Sequence, residues 1–153
     1  MSEEKTTGTL TSILKQAKPQ DLDAYLREHA DSLLGAKPFA AYMRRLLAEK
    51  GLTQREVFLQ ADIPEGYGYK LLSEEKRTRQ RDLVIRLCLG AQADLKEAER
   101  ILQLCGMPAL YAKDPRDAVF IIAFNRGVFE TAAVDEMLVS HGLEPLRPCG
   151  AQE

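Results

Sequence analysis

Apolar residues recur every three or four positions along most of this chain, which is the spacing of one face of an α-helix. A short helix is expected over residues 10–17 through Leu10, Ile13 and Leu14, ended by Pro19. A second, capped by Asp21, would bury Leu22, Tyr25, Leu26, Ala30 and Leu33. Gly35 and Pro38 mark the next boundary. A third helix, from about Pro38 to Lys50, places Phe39, Tyr42, Met43, Leu46 and Leu47 on one side. Further periodic stretches run through Leu83, Val84, Leu87 and Cys88, and through Ala98, Ile101, Leu102 and Cys105. The last two form a hairpin, residues 114–142, with Val134, Met137 and Leu138 inward on its second arm. No stretch alternates with the period of a strand, so the chain reads as all-α.

The ends of these helices are marked by local chemistry. Gly51 can close a helix in the left-handed region, and Thr53 can cap the next, with Glu56 completing a capping box. Val57 and Phe58 supply that helix's buried side, and it breaks near Asp62 before Pro64 opens another. Asp94 and Glu97 repeat the capping pattern; Gly106 and Pro108 stop the helix they begin. Asp114-Pro115 opens the hairpin, Gly127 closes its first arm and Gly142 its second, from Glu130 to His141. The resulting divisions are an N-terminal arm and helical extension (1–37), a bundle (38–105), and a hairpin with its tail (106–153). Within the hairpin, Ile121, Ile122 and Phe124 cover more than one face. The first arm is therefore expected either to be sandwiched against the bundle or to carry a self-association surface.

Composition narrows the function classes. Hydrophobic residues make up 45% of the 153, enough for a real core. No apolar run is long enough to cross a bilayer, the first 12 residues have no signal-peptide core, and the three cysteines (Cys88, Cys105, Cys149) share no close spacing. A cytoplasmic protein with no membrane partner is expected, with Cys88 and Cys105 simply buried on helices. His29 and His141 are isolated, and no nucleophile–base pair accompanies Asp114, Arg116, Asp117 and Asn125, for which capping and a surface ion pair suffice. No metal, no cofactor and no enzymatic activity are expected. Net charge is −2, and the excess lies in the last part: residues 91–153 hold six basic and ten acidic groups.

The segment GLTQREVFLQADI at 51–63, followed by PEGYGYKLLS, resembles the Xre/Cro-type helix-turn-helix family of bacterial and phage DNA-binding regulators. The resemblance covers residues 44–90, with EEKRTRQRDLVIRLCLGAQADLKEAERIL as the closing helices. It implies an Xre/Cro-like bundle, here with the N-terminal extension and C-terminal hairpin added. It also implies a transcriptional regulator that binds double-stranded DNA, as a homodimer, with residues 64–72 as the recognition helix. By position it implies base contacts from Glu65, Gly66, Tyr67, Tyr69 and Lys70. Phosphate contacts would come from Thr53 and Gln54 and from Lys76, Arg77, Arg79 and Arg81. Three positions depart from the family pattern: Asp62 stands where the turn usually has glycine, Phe58 where a small residue is usual, and Glu65 brings an acid to the leading edge. Gly66 and Gly68 are expected to return the volume that Phe58 takes. Glu65 and the net negative charge motivate a second reading, a helical protein–protein interaction module on a helix-turn-helix scaffold that has lost DNA binding.

Overall fold

The computed structural model describes residues 6–33 and 36–150, so the first five residues of the expected arm, the boundary glycine Gly35 and the last three residues of the tail lie outside the described residues. Among the described residues the secondary structure is entirely helical. In order these helices are α1 (Thr7–Gln16), α2 (Leu22–Glu28), α3 (Pro38–Lys50), α4 (Gln54–Ala61), α5 (Glu65–Leu72), α6 (Arg81–Gly90), α7 (Leu95–Leu104), α8 (Pro115–Arg126) and α9 (Thr131–Ser140). Short 3-10 turns at Pro19–Asp21 and Ala30–Ser32 flank α2.

The expected caps set most of these boundaries. Gly51 and Asp62 both adopt left-handed backbone (φ 68° and 56°). The residue after each returns its N–H across the last turn, Leu52 to Leu47 O at 2.9 Å and Ile63 to Phe58 O at 3.0 Å. The same return bond closes α6 after Gln92, α7 after Gly106, α8 after Gly127 and α9 after Gly142. Asp94 and Glu97 form a reciprocal capping box at the start of α7. At α4 the box closes differently. Thr53 Oγ1 accepts from the Glu56 amide at 3.1 Å and donates to Glu56 Oε1, leaving the Thr53 amide out of it.

Helix α6 is the axis of the molecule. Every residue from Asp82 to Gly90 is buried, because α4, α7 and the C-terminal tail close around it. The contact with α4 is the closest: a Cβ added at Gly90 would stand 2.5 Å from the Val57 carbonyl oxygen. One continuous hydrophobic cluster runs from Phe39 on α3 to Leu146 in the tail, so hairpin and bundle share a core. Val119, Phe120, Ala123 and Phe124 are the buried side of α8, Ile121 is partly buried, and Ile122 points outward at 53% exposed. Of the two expectations for this arm, packing against the bundle accounts for its buried face.

The N-terminal extension departs from the sequence reading. Helix α1 buries no residue, and α2 buries only Tyr25; Leu22 and Leu26 are 52% and 45% exposed. Helix α2 also stops at Glu28, short of the expected Leu33. Asp21 does not cap α2 by its side chain. Its carboxylate turns back to accept from the Lys18 N–H at 2.8 Å, stabilising the preceding 3-10 turn instead.

Candidate nucleic-acid interface

Helices α4 and α5 meet through an aromatic ring. Phe58, 1% exposed, lies between them with the Tyr69 ring edge-on at 5.0 Å. The compensating glycine is Gly68 alone: a Cβ there would fall 2.5 Å from the Phe58 ring, whereas one at Gly66 would meet nothing within 4 Å. This packing fixes which side of α5 turns outward. Gly68, Leu71 and Leu72 are buried and Tyr67 is half-buried against the core. Glu65, Gly66, Tyr69, Lys70 and Ser73 form the exposed stripe. Four of the five base-contact candidates therefore share a face, and Tyr67 does not join it.

Glu65 at the head of that stripe is engaged on both oxygens. The Tyr69 hydroxyl donates to Oε1 at 2.8 Å, and Arg55 Nε on α4 stands 4.0 Å from Oε2. The bond to this carboxylate holds the Tyr69 phenol above its usual pKa. Arg55 was not singled out from the sequence. Its signal is positional, since it sits in the first turn of α4 beside Thr53 and Gln54.

The cations after α5 divide into two groups. Lys76, Arg77 and Arg79 are exposed on the loop. Their apparent counter-charge, Glu74, is only 11% exposed; it lies 3.9 Å from the Arg77 guanidinium and accepts from the Ala40 amide at 3.1 Å, capping the first turn of α3. Glu74 holds this post with a left-handed backbone (φ 63°), and the Lys76 amide closes the loop onto Lys70 O at 3.0 Å. Arg81 belongs elsewhere, which corrects the phosphate set drawn from the sequence. Its guanidinium faces inward, bidentate to Asp117 of α8 at 2.6 and 3.0 Å, with further bonds to Pro108 O and Ala109 O.

The surface ion pair expected among Asp114, Arg116, Asp117 and Asn125 is replaced by two largely buried pairs with α6, Arg81 with Asp117 and, beside it, Arg116 with Asp82. Arg116 forks onto Asp82 at 2.7 Å through both terminal nitrogens and reaches Glu144 O and Pro145 O. Asp82 also accepts from the Arg147 amide. Burial pushes the Asp82 pKa up, but the bonds from Arg116 and the Arg147 amide outweigh it, leaving the carboxyl below its ordinary value. Arg86, 5% exposed, donates to Arg147 O, Ala61 O and Leu146 O. These groups strap the tail across α6 and the end of α4.

Cys88 belongs to the core, and Cys105 and Cys149 pack partly buried against it. Cys88 is fully buried, and burial pushes the Cys105 thiol up to about 12, so it stays protonated at neutral pH. His141 Nδ1 lies 2.7 Å from Met137 O at the end of α9. Among the described residues no group of three or more His, Cys, Asp and Glu side chains could hold a metal ion, and no helix is long and apolar enough to cross a membrane. The chain matches no protein-family model, no curated protein and no solved structure.

Proposed function

We propose that this protein is a DNA-binding transcriptional regulator of the Xre/Cro kind, with α5 as the helix that enters the major groove. One observation carries the reading: α5 turns a polar stripe (Glu65, Gly66, Tyr69, Lys70) outward, between the α4 N-terminus and the exposed cations Lys76, Arg77 and Arg79. In this reading Lys70 and Tyr69 reach base edges. The α4 N-terminus, with Gln54 and Arg55, and the 76–79 loop grip phosphates on either side. Arg55 and Tyr69 engage Glu65, which lessens its repulsion of the duplex and leaves it able to accept from a cytosine amino group. A helix of eight residues reads few base pairs, so a homodimer on two half-sites completes the reading.

Selection of bound duplexes from a random pool tests this. Enrichment of a two-half-site consensus, lost in Lys70→Ala, is the expected result; a pool that stays random would refute sequence-specific binding.

The second reading, a protein-interaction module, is favoured by Leu59, which stands 73% exposed on α4 one turn beyond Arg55. Under that reading Leu59→Ser removes partner binding while the pool stays random.

A further inference from the structure

Behind the C-terminal end of α5 lies a cleft of about 860 Å³ whose apolar floor neither the DNA-binding reading nor the interaction-module reading uses. Its volume falls within the range of small-molecule sites, roughly 300–1,000 Å³. The floor is apolar: Phe39 from α3, Leu71 from α5, Val84 and Leu87 from α6, and Leu104 at the end of α7. The mouth is lined by Lys76, Arg77 and Arg79, with Glu74 the one acid among the described lining residues. Glu74 is turned toward the Ala40 amide and only 11% exposed, so the exposed Lys76 and Arg77 outnumber it at the mouth.

An apolar floor under a cationic mouth selects a ligand with an apolar body and one anionic head. We propose that this cleft binds an anionic amphiphile, its chain against Leu71, Leu87 and Leu104 and its carboxylate or phosphate head at Lys76 and Arg77. The arrangement excludes the opposite chemistry. A cationic head would meet like charges, and a neutral one would gain only the apolar contacts. Lys76 and Arg77 are also the residues assigned to DNA phosphate, so, resting on that reading, the occupant's head competes with the duplex. Binding would then release the protein from DNA.

Calorimetric titration of the full chain with decanoate below its micellar concentration tests the site, and it involves no DNA. The expected result is one saturable site that binds decylammonium at least tenfold more weakly. Lys76→Ala/Arg77→Ala, whose side chains are exposed, keeps its fold by circular dichroism, weakens decanoate at least fivefold and leaves decan-1-ol unchanged. Cys105→Trp, which fills the cleft, abolishes binding of both. Decyl phosphate in place of decanoate identifies the preferred head. Absence of saturation, equal affinity for decylammonium, or an unchanged decanoate affinity in the double alanine variant overturns the proposal. Where a duplex is bound, decanoate lowers its affinity in the wild type. An unchanged affinity overturns the competition while leaving the cleft's own test intact, and a failure to bind any duplex counts against the DNA-binding reading alone.

Discussion

Two groups of arginines and carboxylates, close together in sequence, have opposite fates in this fold. Around α6, Arg81 and Asp117, Arg116 and Asp82, and Arg86 with the tail carbonyls form multidentate contacts that are mostly shielded from water. Around α5, Arg55 and Glu65 meet at 4.0 Å in the open, and Arg77 stands 85% exposed. The first group joins elements more than 30 residues apart, and breaking one partner leaves a buried charge uncompensated. The second contributes little to stability, because exposed pairs of this geometry gain at most about 1 kcal/mol. Charged side chains on α6 hold the hairpin and tail to the bundle, whereas Arg55, Lys70, Lys76 and Arg77 lie exposed on α4, α5 and the following loop.

The largest effect that sharpens this contrast is expected from Asp117→Ala. It strips Arg81 of its bidentate acceptor and the Tyr111 amide of its partner, and should cost roughly 3 kcal/mol in urea unfolding, the scale for a broken buried pair. A loss below about 1 kcal/mol would place this pair with the surface ones. Next comes Gly68→Ala, which drives a methyl into the Phe58 ring and should cost roughly 1–3 kcal/mol, partly recovered by Phe58→Leu. Gly66→Ala, in open space, should leave the thermal midpoint level or raise it slightly.

Asp82 gives the contrast a pH signature. Its carboxyl is held below the ordinary value in the folded state, so its contribution is fully present above the unfolded carboxylate range, about pH 4, and is lost as pH falls through the folded value. Asp82→Asn should therefore be destabilised at neutral pH, with the gap to wild type narrowing below about pH 4. A gap independent of pH would contradict the assignment. The smallest effect on stability belongs to Lys76→Ala/Arg77→Ala, expected within about 0.5 kcal/mol of wild type, as for other surface changes.

The caps were legible because capping is local. Thr53 with Glu56, Asp62, Asp94 with Glu97, Asp114 with Pro115, and the closing glycines each act within a few residues, and each stands where expected. The fate of Arg81 was not legible, because its partner lies 36 residues away and nothing in the KRTRQR run separates an inward cation from outward ones. Glu74 was hidden for the same reason: its role as a cap on α3 depends on a contact 34 residues back. The N-terminal extension failed in the other direction. Its apolar spacing is helical, yet Leu14, Leu22 and Leu26 stand 44%, 52% and 45% exposed, since amphipathic spacing states which side could be buried and not what buries it. Phe58 was the informative anomaly, because the ring predicted a missing Cβ opposite it and Gly68 supplies one.

In the proposed reading the outward charges engage DNA and the inward ones do not. Its most direct test is the salt dependence of duplex binding for the full chain. Wild type should bind at low salt and weaken steeply as salt rises. Lys76→Ala/Arg77→Ala, which removes two of the proposed phosphate contacts, should flatten the log–log slope by about 2. An unchanged slope in that variant, or no binding to any duplex at low salt, would contradict the account.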